Sequence, residues 1–238
     1  MNSAIKIFIL LVFFTLFVTA CNNQSTPDNK ETEKATIAPT EPDNDDGETF
    51  VEEGDYISLK TPYDTENNNQ VVVYEFFGYT CPHCYTFEPY LNKWLENKPD
   101  YVKFVRVPMN FQPRWANFQQ AYLTAEIMGI ADQAHSQMFA AIHKEHKPFR
   151  TLDAIAQWYA DNAGVDKDAF LSTSDSFILD SKIRKADSMG FKMQITSTPT
   201  LVINGKYKAA KRKNREEIME ILDFLIEKEA KSMGLLTN

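Results

Sequence analysis

The run Val71-Val72-Val73-Tyr74-Glu75-Phe76-Phe77 is almost wholly β-branched or aromatic and is bounded by Asn67-Asn68-Asn69 and Gly78. Stiff, bulky side chains between turn residues fit a strand covered on both faces, so the run predicts a buried central strand. The period then changes. Phe87, Tyr90, Leu91, Trp94 and Leu95 recur at helical spacing and predict a helix that starts near Pro82. Pro89, inside it, lacks an N–H and should bend it. Tyr101-Val102-Lys103-Phe104-Val105-Arg106-Val107 alternates and stops at Pro108. A second strand reached through a helix is expected to lie parallel to the first.

From Trp115 to about Met189 the pattern is helical throughout, over 116–129, 132–144, 151–162, 166–171 and 175–189. Thr151 offers an N-cap hydroxyl, and Gly164 lies just past a helix end, where a left-handed residue closes the last turn. Strand signals return at Thr200-Leu201-Val202-Ile203, and Asn204-Gly205 predicts a tight hairpin into Lys206-Tyr207-Lys208. Ile218, Ile221, Leu222, Leu225 and Ile226 line one face of a last helix over 215–231. No internal repeat is evident. The order β-α-β, helical block, β-β-α is that of an α/β thioredoxin fold with an inserted all-helical domain: 56–114 the first part, 115–189 the insertion, 190–238 the second part.

Ahead of this domain, Lys6 precedes the apolar run Ile7-Phe8-Ile9-Leu10-Leu11-Val12-Phe13-Phe14, and small residues follow up to Cys21, the pattern of an export signal. Val18-Thr19-Ala20-Cys21 resembles the bacterial lipobox, which implies cleavage behind Ala20 and a lipid on the sulfur of Cys21. Residues 1–20 are therefore expected to be a lipoprotein signal peptide, and the lipid on Cys21 is expected to anchor the chain to a bacterial membrane. Residues 21–55 are rich in Asp, Glu, Asn, Thr and Pro, and nearly lack large apolar side chains. Such a segment cannot bury enough surface to offset its ordering entropy and is expected to be a disordered acidic tether. The whole chain carries 33 acidic against 25 basic residues, a formal charge of −8, and loss of Lys6 with the signal makes it one unit more negative. Nucleic acid is accordingly not expected as a partner.

With Cys21 taken by lipid, only Cys81 and Cys84 remain, which excludes a disulfide scaffold. Cys81-Pro82-His83-Cys84 follows the predicted central strand and opens the predicted helix. N–H groups and the dipole at a helix N-terminus favour a thiolate at Cys81, and a low-pKa thiolate is a good attacking and leaving sulfur at neutral pH. Cys84, one turn further in, is placed to resolve a mixed disulfide formed at Cys81. Structural zinc wants four ligands, and beyond this pair the chain offers only His83, His135, His143 and His146. Covalent haem wants His after the second Cys, where Tyr85 stands. So short a loop gains little from a purely structural disulfide. Thiol–disulfide chemistry, with no metal and no organic cofactor, is the expectation. Glu75 shares a strand face with Val71, Val73 and Phe77, which predicts a buried carboxyl of raised pKa able to accept the proton of Cys84; a surface salt bridge is the alternative.

Glu75-Phe76-Phe77-Gly78-Tyr79-Thr80-Cys81-Pro82-His83-Cys84-Tyr85, with Phe87-Glu88, resembles the active-site segment of the DsbA family of bacterial thiol–disulfide oxidases. Thr198-Pro199-Thr200-Leu201-Val202-Ile203-Asn204-Gly205-Lys206-Tyr207 and the inserted helices extend the resemblance over roughly residues 70–230. It implies that His83 supports the Cys81 thiolate. It also implies that Pro199 is a cis-proline opposite Cys81, leaving the Thr198 backbone free to bond a substrate strand. By the same resemblance, the substrates are unfolded exported proteins with reduced cysteines, the reoxidising partner is a membrane oxidant of the DsbB type, and the site of action is the periplasm. Residues 22–55 are too polar and short to form the dimerisation domain of related isomerases, so a monomer is expected. Two departures bear on the direction of electron flow: Thr198 stands where the best-studied oxidases carry Val, and Pro89 is a feature of thioredoxin itself. A reductase or isomerase, and a non-catalytic tethered chaperone or adhesin, are the rival readings.

Overall fold

The computed structural model describes residues 50–65, 69–210 and 214–236. The expected signal peptide, Cys21 and residues 21–49 of the expected tether lie outside them. Phe50, from the remainder of that segment, packs edge-on against Phe224 at 5.4 Å.

The elements are β1 (Tyr56–Ser58), β2 (Val71–Phe77), α1 (Pro82–Leu95), β3 (Val102–Pro108), a single 3-10 turn (Pro113–Trp115), α2 (Ala116–Ile127), α3 (Ala131–His143), α4 (Leu152–Ala163), α5 (Lys167–Ser174), α6 (Phe177–Lys192), β4 (Thr200–Ile203), β5 (Tyr207–Ala209) and α7 (Arg215–Ser232). The strands form one mixed sheet in the order β1-β5-β4-β2-β3. β2 and β3 are parallel, with α1 as their crossover, and the other pairings are antiparallel. Every residue of β2 is buried, Glu75 included, as its almost wholly apolar run predicts. The expected βαβ unit, helical block and closing hairpin are all present. β1 is an addition: three residues are too few for alternation to register.

Local chemistry explains the boundaries. Thr151 accepts a hydrogen bond from the Ala154 N–H at 3.2 Å and opens α4, and Gly164 ends it at φ 68°. Asn214 and Glu217 form a reciprocal capping box at the start of α7. α1 runs on through Pro89 to Leu95.

Three apolar cores meet at β2. Val71 and Val73 face α1 and α7 through Phe87, Leu91, Leu222 and Leu225. On the other side Val72, Tyr74 and Phe76 meet Ala186 and Met189 of α6. Phe77 and Tyr79 belong to the core of the helical insertion, with Tyr122, Phe139 and Tyr159, and this core reaches Cys81 and Cys84. A fully buried Leu or Phe contributes about 1.5–3 kcal/mol, so the strand end that carries the cysteines is held by both halves of the fold.

Candidate active site

β2 ends at Phe77 and the chain turns through Gly78-Tyr79-Thr80 into α1. A Cβ on Gly78 would lie 2.3 Å from the ring of Trp115, so only glycine admits this close approach. His143 of α3 hydrogen-bonds the Tyr79 carbonyl through Nε2 at 2.7 Å and stacks on Tyr85 at 4.9 Å, clamping the turn to the insertion. Cys81 is the N-cap of α1. Its Sγ accepts from the Cys84 backbone N–H at 3.4 Å, and Pro82 fills the first helical position, where no N–H is needed.

Both thiols are free. Cys81 is 6% exposed and Cys84 1%. The Cys81 thiol is lowered to about 5. Hydrogen bonding from the Cys84 side chain is the largest cause; burial opposes it, and Thr198 and the backbone N–H groups of Cys84 and His83 add to it. Burial, reinforced by the neighbouring Cys81, pushes the Cys84 thiol far up. The pair is therefore asymmetric: an ionised sulfur at the rim and a protonated one beneath.

Opposite Cys81, the Thr198–Pro199 peptide bond is cis, and the Thr198 carbonyl lies 3.5 Å from Cys81 Sγ. Thr200 steadies this turn by donating from Oγ1 to the Ser197 carbonyl at 2.7 Å. His83 is exposed; among the described residues its ring hydrogen-bonds nothing, and the group it offers the sulfur is its backbone N–H.

Behind the cysteines lies a buried polar cluster that the sequence reading only partly names. Glu75 is 1% exposed and pairs with Arg106 (Nε to Oε2, 3.2 Å), which also reaches Asp132 at 3.2 Å. Burial pushes the Glu75 carboxyl up to about 8 against the pull of Arg106. Glu88 accepts from His135 Nε2 at 3.1 Å, and from Ser136 and Asn92 at 3.2 Å. Burial raises its pKa, but these donors and Arg106 outweigh it and hold Glu88 below the ordinary carboxylate value. Tyr79 Oη lies 3.0 Å from His135 Nδ1. Burial lowers the His135 pKa, and a neutral ring satisfies both contacts: Nε2–H donates to Glu88, and Nδ1 accepts from the Tyr79 hydroxyl.

Ligand atoms of Glu75, Glu88 and His135 lie within 4.8 Å of one another. Arg106 already supplies the positive charge there by pairing with Glu75, and His135 Nε2 is bonded to Glu88, so the set closes as a buried polar cluster. Tyr79 and Glu88 stand in the segment that carries the family resemblance and His135 among the histidines weighed as metal ligands, but the sequence assigns none of them, nor Arg106, a role in this cluster. Arg106 had a signal: in the parallel register it stands directly opposite Glu75.

A dithiol at the N-terminus of a helix, opposite a cis-proline, on a mixed sheet with a helical insertion, defines a thiol:disulfide oxidoreductase of the thioredoxin class. Comparison with known proteins narrows this. Residues 72–218 match the family described as DSBA-like thioredoxin domain, and the chain belongs to that family. It is 41% identical over 177 residues to the thiol:disulfide interchange protein DsbA of Pseudomonas aeruginosa, covering 74% of this chain and 83% of that one. The DsbA of Azotobacter vinelandii is 38% identical over 176 residues, 73% and 82% of the two chains. Among solved structures, P. aeruginosa DsbA superposes with a TM-score of 0.72 at 39% identity, covering 77% of this chain and 96% of that one. The oxidoreductase DsbA of Xylella fastidiosa gives 0.70 at 32%, covering 74% and 96%. No helix among the described residues is long and apolar enough to cross a membrane.

Proposed function

We propose that the chain acts as a periplasmic oxidase, lipid-anchored through Cys21 behind the signal peptide 1–20, that passes a Cys81–Cys84 disulfide to unfolded exported proteins. The substrate thiolate attacks Cys81 Sγ; the Cys81–Cys84 bond breaks, and Cys84 leaves and takes a proton, for which Glu75 is the relay. A second substrate thiolate then attacks the substrate sulfur of the mixed disulfide and releases Cys81 as its stable thiolate. Two electrons pass from the substrate dithiol to the protein dithiol, and a DsbB-type membrane oxidant takes them away. Thr198, through its backbone, and Pro199 seat the substrate strand, and His83 supports the Cys81 thiolate. The chain works as a monomer and needs no metal or organic cofactor.

The observation that carries this reading is the asymmetry of the pair, a lowered thiol at Cys81 over a raised one at Cys84, since a stable thiolate favours reduction of the disulfide. Replacing Cys84 with Ala removes the resolving thiol, so the variant should accumulate mixed disulfides with exported proteins, whereas Cys81→Ala should accumulate none. Equal trapping by both variants would refute the assignment of the two roles. Mass spectrometry of the mature N-terminus should find a lipid on Cys21; an intact Met1 refutes the anchor.

A further inference from the structure

Next to Cys81 a cleft of about 300 Å³ opens between α1, the turn before β4 and the first turn of α7. Phe87, Pro199 and Ile218 make its apolar lining, Thr198 joins it to the sulfur, and the ionisable residues in it are His83 and Arg215. No carboxylate lines it, in a chain whose formal charge is −8. Arg215 is held in a fixed pose: its Nε donates to the Thr86 carbonyl at 3.0 Å and Nη2 to the Thr86 hydroxyl. Among the described residues no carboxylate pairs with it.

This placement is locally unfavourable, because Arg215 is the first residue of α7 and a cation at a helix N-terminus opposes the macrodipole. What it gains is a guanidinium already immobilised along one edge, with N–H groups left over at the cleft. Such a group suits a carboxylate, and binding one costs little further side-chain entropy. A substrate strand lying against Thr198 advances about 3.3 Å per residue, so side chains within two residues of its cysteine come within reach of the cleft.

We propose that Arg215 is a specificity-determining residue, which favours substrate segments with Asp or Glu within two residues of the reacting cysteine. The inference rests on the oxidase reading and names its substrate class.

The test uses the full chain, oxidised at Cys81–Cys84, and dithiol peptides identical except for Glu, Gln or Lys flanking the cysteine. Oxidation rates are measured for the wild type, R215K, R215Q and R215E. The Glu-to-Lys rate ratio in the wild type, divided by that in R215Q, cancels the peptides' own thiol acidities. That quotient should be roughly two- to fivefold, the scale of an exposed ion pair, and should shrink as salt screens it. R215K should keep the preference and R215E invert it. A role for Arg215 only in fixing Thr86 would move all rates together and leave the quotient at one. A quotient of one against both R215Q and R215E overturns the proposal while the oxidase reading stands. Failure of the wild type to oxidise any peptide overturns both.

Discussion

Titration of Cys81 should set how the redox potential of this protein moves with pH. The thiol is lowered from an ordinary 9.0 to about 5. At pH 7 an ordinary thiol is about one per cent ionised, whereas this one is about 99% ionised. Ionisation therefore stabilises the reduced form about a hundredfold, or about 2.7 kcal/mol at 1.36 kcal/mol per pKa unit. For a two-electron couple this raises the potential by about 60 mV over the same site with an unperturbed thiol. The sign can be tested separately from the size. With Cys81 already ionised and Cys84 protonated, reduction takes up one proton, so the potential should fall by about 30 mV per pH unit rather than the ~59 mV of an ordinary dithiol. Equilibration with glutathione buffers between about pH 6 and pH 7, below the Glu75 titration, reads this slope. Folding stability gives a second readout. Between pH 5 and 9 the unfolded reduced chain binds the extra proton, so the contribution of Cys81 is full above the unfolded value and is lost as pH falls toward 5. Denaturant unfolding should show the reduced form losing about 1.4 kcal/mol per pH unit relative to the oxidised form, in which this thiol is absent. A slope near −59 mV per unit, or parallel stability profiles of the two forms, would refute the low thiol and with it the oxidase reading.

Two further outcomes follow from the packing behind the cysteines. Gly78→Ala forces a Cβ to 2.3 Å from Trp115 and should cost about 1–3 kcal/mol of stability in urea unfolding; an unchanged midpoint would mean that Trp115 moves freely. Arg106→Met leaves Glu75 buried without its cation. Because the Glu75 pKa is raised from 4.5 to about 8, stability already falls as pH rises through that window, and this variant, by raising the pKa further, should extend the fall beyond pH 8. Its cost should be small near pH 6 and grow by at most about 1.4 kcal/mol per pH unit above pH 8; a pH-independent cost contradicts the burial of Glu75 as an acid.

Those features of the fold that rest on neighbours in the chain were legible in the sequence. The β2 run, the helical period around Leu91, the Thr151 cap and the Asn204-Gly205 turn each encode their geometry within a few residues, and the structure bears all four out. β1 escaped because three residues carry no period. Its place at the sheet edge is set by pairing with β5, from Tyr56 opposite Ala209 to Ser58 opposite Tyr207, some 150 residues away. Backbone hydrogen bonds across that distance leave no local mark on composition.

The candidate site divides along the same line. Cys81 and Cys84 announce themselves by spacing and by the strand that precedes them, and the burial of Glu75 follows from period-2 alternation. Its counter-charge was within reach of the same reasoning. Once Val71–Phe77 and the run ending at Pro108 are taken as parallel neighbours, aligning their first buried valines, Val71 and Val102, puts Glu75 against Arg106. His135 could not be reached that way. On α3 it sits among Ala134, Met138 and Phe139 as a histidine on an apolar face, and only the tertiary fold brings it to Glu88 and Tyr79. A buried imidazole there would be costly unless both nitrogens were bonded, so its two partners explain why the residue is tolerated. They also tie the turn before Cys81, the middle of α1 and the insertion into one polar unit. The helical insertion is thus more than a cover over the dithiol. Through His135 and His143 it bonds Tyr79 at both its side chain and its carbonyl, two residues from Cys81.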